Sequence, residues 1–348
     1  MLGLWLLAGL VALALFLRLP GRVLLAMLGC LWLGIVLFLA LLPEAAPARA
    51  IGGTAAQWLL AGGVAALILS YRALLGHLRA RAPDPQPAAA TDDGSMSGAE
   101  LDRYARHIVL REVGGAGQMR LRGARVLIVG AGGLGAPLCL YLAAAGVGRM
   151  TLADDDTVSL SNLQRQVIFR SDQRGEVKSR AAAAAMAALN PHVEVTALER
   201  RITGADAGLI AGHDLVLDGT DSFASREAVN RACVAAGVPL LAGAIAQWEG
   251  QVTLYDPAHG GPCLACLFPE APAPGLAPAC AEAGVVGALP GVIGSLMALE
   301  AIKHLTGAGQ GLRGRMLIFD GLYGETRTIH ITRRADCPVC STPLAALR

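Results

Sequence analysis

The sequence predicts an α/β fold: a Rossmann-like, mostly parallel sheet with helices on both faces and an antiparallel extension, preceded by a helical transmembrane segment of two to three spans. Three features support this prediction. Apolar runs fill the first quarter of the chain, and strand-like and helix-like segments alternate from about residue 98. A glycine-rich turn, "VLIVGAGGLG" (126–135), joins the first of those strands to a helix.

Composition separates the two parts of the chain. Of 348 residues, 54% are hydrophobic, and the mean hydropathy of +0.51 is too high for a simple soluble enzyme. The net charge is +2, but residues 1–82 contain six Arg and one Glu, so the remainder is acidic. We therefore expect apolar segments in lipid and no nucleic-acid partner, because no basic surface of the necessary size is present.

Three apolar segments, at about 2–19, 23–42 and 51–71, approach the roughly 20 residues that span a bilayer. No charge precedes the first segment, which favours an anchor over a signal peptide. Arginines follow the first and third segments, at Arg18, Arg22, Arg72, Arg79 and Arg81. This bias predicts an inner (cytoplasmic) membrane protein whose residues after 72 face the cytoplasm. The alternative is two spans, with 51–71 forming an interfacial or buried helix.

The predicted domain boundaries follow from these segments. Residues 1–78 form the transmembrane helices, 79–97 a flexible linker rich in Pro, Ala, Asp and Ser, and 98–348 the α/β domain. Within that domain we expect helices at 99–112, 133–145, 176–189 and 223–236, and strands at 125–130, 149–153, 193–198, 214–218 and 238–242. "QWEGQVTLYD" (247–256) and "RMLIFDGLYGETRTIHIT" (315–332) predict antiparallel strands on either side of a helix that ends at Gly307.

The glycine turn predicts a nucleotide site. Gly130, Gly132, Gly133 and Gly135 let the chain pass close to a phosphate, and Asp154 follows at the end of the second strand, where an acid accepts hydrogen bonds from a ribose. Asp156, in the same acidic stretch, is also expected to contact the cofactor. Taken alone, this pattern fits NAD as well as ATP.

The charges that follow favour ATP. Asn162, Arg165 and Lys178 come directly after the ribose acid, and a guanidinium with an ammonium suits a triphosphate that loses pyrophosphate. Asp218 and Asp221 end the fourth strand, and a carboxylate there can hold Mg²⁺ against phosphate oxygens. The alternative for each cation is a solvated position on a helix surface.

Cysteine spacing predicts one structural Zn²⁺ per chain. Cys263 and Cys266 form one CxxC pair, and Cys337 and Cys340 form another. Disulfides or a redox pair are the alternatives. Cys280 differs because it lies on a Pro- and Gly-rich loop, where a thiol could attack an activated acyl group or be an unreactive loop residue.

These motifs together resemble the ubiquitin-activating-enzyme-like adenylyltransferases (MoeB/ThiF/HesA), and most closely the molybdopterin-synthase, or sulfur-carrier-protein, adenylyltransferase group. The resemblance runs from about residue 97 to 341 through "RYARHIVL", "VLIVGAGGLG", "DDDTVSLSNLQRQ", "GEVKS", "DLVLDGTD", "PCLACLFPE" and "CPVC". It implies ATP- and Mg²⁺-dependent adenylation of the C-terminal glycine carboxylate of a small ubiquitin-like sulfur carrier ending in Gly-Gly, in molybdopterin or thiamine biosynthesis.

The resemblance also implies roles for individual residues. Arg165, Lys178 and Asp221 would be catalytic, with Asp221 binding magnesium, and Arg106 would contact nucleotide across a homodimer. Cys280 matches the cysteine that links covalently to the carrier in parts of the family. Ser222 stands where the family usually has Asn, and no rhodanese-like domain follows Cys340, so a separate sulfur donor protein is expected.

Three other functions compete with this prediction. One is a related enzyme that activates a tRNA-borne carboxylate, and another is an NAD-dependent oxidoreductase, disfavoured by Arg165 and Lys178. The third is a membrane-tethered scaffold that binds nucleotide and a ubiquitin-like protein without turnover.

Overall fold

The computed structural model describes residues 2–17, 20–81, 95–271 and 284–341. The chain divides into two compact units, Met1–Gly94 and Ser95–Arg348. The division lies inside the predicted linker.

All regular secondary structure in the described residues of the first unit is helical. Its helices are α1 (Leu2–Phe16), α2 (Gly21–Leu41), α3 (Ala46–Ile51) and α4 (Ala55–Arg81). Val23–Leu41 and Ala55–Leu74 are long and apolar enough to cross a membrane. The third apolar helix therefore begins at Ala55 rather than at residue 51, because residues 46–51 form a separate helix. Helix α1 has 15 residues, or roughly 22 Å, against a hydrocarbon core of about 30 Å, so a full first span stays a prediction.

Two tryptophans connect the helices of this unit: Trp32 joins α2 to α4, and Trp58 joins α4 to the residue after α3. The Trp32 Nε1 donates a 2.9 Å hydrogen bond to the Trp58 carbonyl oxygen, and the Trp58 Nε1 donates one of 2.9 Å to the Gly52 carbonyl oxygen. A small cluster of Ile35, Leu39 and Ala48 is buried beside them. Most other apolar side chains of this unit face outward.

An eight-stranded sheet is the centre of the second unit, and its strand order is β3-β2-β1-β4-β5-β6-β7-β8. The strands are β1 (Arg125–Val129), β2 (Arg149–Ala153), β3 (Glu194–Leu198), β4 (Leu215–Asp218), β5 (Leu240–Ala246), β6 (Glu249–Tyr255), β7 (Arg315–Asp320) and β8 (Glu325–His330). Strands β1 to β5 are parallel, whereas β6, β7 and β8 are antiparallel additions. The predicted fold class is therefore confirmed.

Helices cover both faces of this sheet. They are α5 (Gly98–Ile108), α6 (Gly114–Gly123), α7 (Gly135–Ala145), α8 (Lys178–Leu189), α9 (Ala207–Ile210), α10 (Phe223–Ala236), α11 (Leu264–Leu267) and α12 (Ala288–Thr306). The helix expected at 99–112 ends at Ile108, and α6 was not predicted, because its first residues are glycines. Helix α7 begins at Gly135 rather than 133, since the preceding glycines form the turn itself. Strand β5 extends to Ala246, beyond the expected 242, because it also pairs with β6.

Alternate residues of β1 point into two different cores. Val126 and Ile128 pack with α7, α8 and α12, whereas Leu127 and Val129 pack with α9 and α10. A strand buried on both faces reads as a continuous apolar run, as "RVLIV" does. The carboxyl ends of the parallel strands therefore meet at one edge, where ligands bind in sheets of this kind.

Candidate active site

A cleft of about 1170 Å³ opens at this edge. Its floor is the glycine turn, and its far wall comes from the β5–β6 and β7–β8 turns, with Trp248, Leu322 and Tyr323. The structure brings most of the predicted site residues together here: Gly130, Gly132, Gly133, Asp154, Asp156, Asn162, Arg165, Lys178 and Asp221 all line the cleft.

Three positions of the glycine turn are suited to glycine, one because of its backbone angle and two because of close contacts. Gly130 has a φ of +93°, a conformation that L side chains rarely adopt. A Cβ on Gly135 would lie 2.0 Å from the Gly130 carbonyl oxygen, and one on Gly133 would lie 2.9 Å from the Pro290 Cβ. Gly135 therefore does not line the cleft but lets α7 begin directly behind it.

Asp154 ties the second strand to the glycine turn. Its Oδ2 accepts a 2.7 Å hydrogen bond from the Ala131 N–H, and its Oδ1 accepts one of 2.8 Å from the Asp156 N–H. A carboxylate oxygen has two lone pairs, so Asp154 keeps acceptor capacity for a ribose hydroxyl. The geometry thus adds a structural duty to the role predicted from sequence.

Lys178 and Asp156 form an ion pair across the cleft wall. The Lys178 Nζ lies 2.6 Å from the Asp156 Oδ2, and the lysine side chain is only 5% exposed. The hydrogen bond from Lys178 holds the pKa of Asp156 below its ordinary value. The sequence assigned these residues separate contacts with a cofactor, whereas the structure couples them to each other.

Arg165 and Asn162 are also joined. The Arg165 Nη2 donates a 3.1 Å hydrogen bond to the Asn162 Oδ1, and Nη1 donates one of 3.3 Å to the Ser161 carbonyl oxygen. Both side chains line the cleft, which leaves the guanidinium held in place beside the glycine turn.

The two aspartates after β4 occupy different environments. Asp218 is 1% exposed, and burial raises the pKa of its carboxyl. Asp221 is exposed and lines the cleft. The sequence placed both carboxylates at the end of the fourth strand, but of the two only Asp221 lines the cleft, because Asp218, the last residue of a central strand, is enclosed by its neighbours.

Ser222 caps the helix that follows. Its Oγ accepts a 3.2 Å hydrogen bond from the Ser225 N–H at the start of α10. Ser and Asn are equally good at this position, so the departure from the family residue preserves the cap.

Two further predicted residues are not among those that line the described cleft. Arg106 is exposed in the last turn of α5 and does not line the described part of its own chain's cleft. Cys280 lies outside the described residues. Arg201 and Arg226 line the cleft but were not predicted as site residues. For Arg226 the available signal was its position four residues after the cap Ser222, on the face of the first turn of α10.

The two CxxC pairs lie close together in space although they are far apart in the sequence. Their sulfur atoms lie within 4.8 Å of one another, and all four residues are buried. Three Sγ···Sγ distances are 3.9, 3.6 and 3.5 Å, for Cys263–Cys266, Cys263–Cys337 and Cys266–Cys340. Tetrahedral zinc with Zn–S bonds of about 2.3 Å separates its sulfurs by about 3.8 Å, so this donor set fits the ion. None of these cysteines forms a disulfide.

Comparison with known proteins adds the family. A model described as "ThiF family" matches residues 104–339, which is more than half of the chain. The chain belongs to the ThiF family.

Close relatives of this ThiF-family chain are enzymes by name. It is 47% identical over 247 residues to the SAMP-activating enzyme E1 of Haloferax volcanii, covering 71% of this chain and 91% of that one. It is 48% identical over 246 residues to the sulfur carrier protein adenylyltransferase of Thermus thermophilus, covering 69% and 91%. It is also 48% identical over 265 residues to mouse adenylyltransferase and sulfurtransferase MOCS3, covering 76% of this chain but 56% of that one.

Solved structures agree on the fold. Escherichia coli MccB crystallised with ATP superposes with a TM-score of 0.60 at 23% identity, covering 69% of this chain and 75% of MccB. MccB crystallised with MccA-N7isoASN gives a TM-score of 0.61 at 21% identity, covering 72% of this chain and 77% of that one. At this identity the similarity supports the ThiF-family fold alone.

Proposed function

We propose that this chain is a nucleotidyltransferase that uses ATP to adenylate the C-terminal glycine carboxylate of a small ubiquitin-like sulfur carrier protein, releasing pyrophosphate. The decisive observation is one cleft that holds a close-packed glycine turn, an oriented Arg165, a buried Lys178 and an exposed Asp221. Its similarity to named sulfur-carrier adenylyltransferases supplies the substrate class.

The reaction is a displacement at the α-phosphate. A carboxylate oxygen of the carrier forms a bond to the α-phosphorus, and the bond from that phosphorus to the bridging oxygen of pyrophosphate breaks. Negative charge grows on the phosphate oxygens, and preorganised donors stabilise it. The glycine-turn amides and the N-terminus of α7 offer such donors, and Arg165 and Lys178 add two positive charges.

Lys178 has a second role in this scheme. Its ammonium is paired with Asp156 and almost fully buried, so little of its hydration remains to be removed when a phosphate approaches. Asp156 holds the lysine ammonium in one orientation, while the ammonium protons that do not bond to Asp156 remain available to phosphate oxygens.

Magnesium and ribose contacts are assigned by donor chemistry. Asp221 is a carboxylate exposed in the cleft, the hard oxygen ligand that Mg²⁺ prefers, and the ion would neutralise phosphate charge. Asp154 would accept from the ribose. Arg106, exposed on α5, would reach the nucleotide of a second copy, so the active form would be a homodimer with two composite sites.

Zinc is proposed as a structural ion. Four buried thiolates leave no coordination position for substrate, and they join the loop at residues 263–266 to residues 337–340. The sulfur donor is proposed to be a separate protein.

The first unit is proposed to anchor the enzyme in the cytoplasmic membrane. Two of its helices have the length and composition of membrane spans, and they carry few buried residues. Fractionation of membranes with carbonate would test this, because an integral anchor stays in the pellet whereas a surface-bound protein is released.

Pyrophosphate exchange tests the proposed reaction. The full chain in detergent is incubated with ATP, Mg²⁺, labelled pyrophosphate and candidate carriers ending in Gly-Gly, and the matched control is each carrier without its last glycine. We expect label to enter ATP only with the intact carrier. Exchange that ignores the terminal glycine, or binding of NAD without exchange, would contradict the proposal.

Substitutions assign the roles within the same assay. Asp221→Ala and Arg165→Ala are expected to abolish exchange. Cys280→Ala is expected to spare adenylation and to affect only later sulfur transfer. Loss of exchange in Cys280→Ala would show that the division of roles is wrong.

A further inference from the structure

Two charged side chains that the proposed chemistry does not use hold the loop that carries Asp221. The Asp218 Oδ1 accepts a 2.9 Å hydrogen bond from the Thr220 backbone N–H. Arg226, in the first turn of α10, donates from Nη2 to the Thr220 carbonyl oxygen. Asp218 therefore bonds to the peptide group between Gly219 and Thr220, and Arg226 bonds to the peptide group between Thr220 and Asp221.

The residues on either side of this loop are also fixed. The Gly219 N–H donates a 2.9 Å hydrogen bond to the Val129 carbonyl oxygen. A Cβ on Gly130 would lie 3.3 Å from the Gly219 carbonyl carbon, so this loop and the glycine turn are in close contact. After Asp221, the Ser222 cap fixes the start of α10. The Asp221 backbone thus lies between two anchored points while its side chain faces the cleft.

Charge at Asp218 is costly for the fold. Asp218 is 1% exposed, and its Oδ2 has no hydrogen-bond partner among the described residues. A buried carboxylate that is incompletely satisfied destabilises a protein, and burial accordingly raises the pKa of Asp218 against the opposing effect of Arg226. A simple turn would not require this pair, because a neutral Ser or Asn can bond to a backbone N–H.

We propose that Asp218 and Arg226 are positioning residues: by fixing the peptide groups of Thr220, they direct the Asp221 carboxylate towards a divalent cation bound with the nucleotide. This inference rests on the proposed function. Side chains that orient a metal ligand typically contribute a factor of roughly ten to one hundred to metal affinity. Their loss should therefore weaken cation binding while the cleft and the fold persist.

The test compares two arginines on one helix. Arg226→Met removes the donor, whereas Arg231→Met removes an exposed arginine that pairs with Glu227 at 2.6 Å. In the full chain, binding of Mn²⁺ in the presence of ATP is measured by electron paramagnetic resonance, together with the Mg²⁺ concentration that gives half-maximal exchange. We expect Arg226→Met to lower the affinity for Mn²⁺, and to raise the Mg²⁺ concentration that gives half-maximal exchange, by roughly tenfold to one hundredfold each. The KM for the carrier should stay unchanged. Arg231→Met should change neither cation readout. Equal behaviour of the two variants would overturn the inference.

Two further arms exclude a general structural effect. In an Asp221→Ala background, Arg226→Met should cause no additional loss of Mn²⁺ binding, because both substitutions act through one ligand; an additive loss would overturn the inference. Asp218→Ala should weaken binding, and Asp218→Asn, which keeps an acceptor oxygen, should restore it. If both Asp218 variants bind alike, Asp218 does not act through its hydrogen bond.

The outcomes also separate the two proposals. If the wild-type chain shows no carrier-dependent exchange, the proposed function fails, and Mn²⁺ binding still decides whether Arg226 positions Asp221. If exchange occurs and Arg226→Met binds Mn²⁺ normally, only the positioning inference fails.

Discussion

The two units of the chain place their apolar side chains in opposite ways. In the first unit Trp5, Leu60 and Leu67 are 75%, 71% and 71% exposed, and its buried cluster is small. In the second unit Leu127, Ile128 and Leu217 are fully buried between helices and sheet. The second unit therefore gains its stability from its own core, whereas the first unit leaves most of the apolar surface of its described helices exposed. Substitutions matched across the two units test this difference.

The largest effect is expected at the proposed zinc site. Cys263→Ser removes one of four converging thiols, and structural zinc contributes on the order of 10 kcal/mol to the folding of small metal sites. We expect zinc content, measured by elemental mass spectrometry, to fall from one per chain towards none, and the catalytic unit to unfold at a much lower temperature. Cys30→Ser, in the first unit, should alter neither quantity. Full zinc retention in Cys263→Ser would contradict the assignment.

Gly135→Ala should give the next largest effect. Its Cβ would lie 2.0 Å from the Gly130 carbonyl oxygen, so the backbone of the turn has to move. Overpacking against backbone suggests a loss of about 3 kcal/mol in the free energy of unfolding, together with loss of ATP binding, measured by denaturant titration and calorimetry. Gly208→Ala, in α9 with no neighbour within 4 Å of the added carbon, should leave both unchanged. Normal ATP binding by Gly135→Ala would contradict the proposal that the glycine turn holds the nucleotide.

The corresponding pair in the first unit should have a smaller and local effect. A Cβ on Gly62 would lie 2.2 Å from the Trp32 ring, but one on Gly63 would meet nothing within 4 Å. The Trp32 side chain can shift, whereas a backbone cannot, so Gly62→Ala should reduce the free energy of local opening in α2 and α4 by about 1–2 kcal/mol. This corresponds to amide hydrogen exchange in these helices that is roughly 5- to 30-fold faster. Pyrophosphate exchange should stay unchanged. If it falls as well, the two units are not independent.

The smallest expected effect is an ion pair in the second unit. Arg200 donates hydrogen bonds to Asp206, whose side chain is 15% exposed, and this contact lowers the Asp206 pKa from 3.8 to about 2. Because the folded-state pKa is lowered, the stabilisation is present above pH 3.8 and is lost as the pH falls towards 2.

Asp206→Asn should therefore reduce the free energy of unfolding by about 0.5–1 kcal/mol at neutral pH, after allowance for solvent screening by the half-exposed Arg200. The difference from wild type should vanish at low pH in denaturant titrations. Asp172→Asn, at an exposed pair with Arg170, is the control and should have no measurable effect. A difference that persists below the folded-state pKa would contradict the assignment.

The parts predicted from sequence were those with a local pattern. The parallel strands, the glycine turn and the two CxxC pairs each have a short signature that requires one geometry, so the parallel sheet with its antiparallel extension and the cysteine cluster agree with expectation. Helix α6 was missed because its leading glycines resemble a turn. The burial of Asp218 was not predicted, because burial depends on neighbouring strands, which a single segment does not reveal.

Contacts between distant segments could not be predicted in the same way. The pairing of Lys178 with Asp156 and the hydrogen bond from Arg226 to Thr220 depend on the loop path between secondary-structure elements. Each of these side chains taken alone is an ordinary surface charge. Only the fold shows that they act on the residues that face the cleft.

Transfer of an oxygen atom tests the central claim most directly. A carrier whose C-terminal carboxylate contains heavy oxygen is incubated with the full chain, ATP and Mg²⁺, and hydroxylamine then cleaves the activated carboxyl. If the carboxylate attacks the α-phosphate, the AMP that is released contains one heavy oxygen from the carrier, detected by mass spectrometry. AMP without heavy oxygen, or heavy oxygen in the inorganic phosphate, would contradict the account.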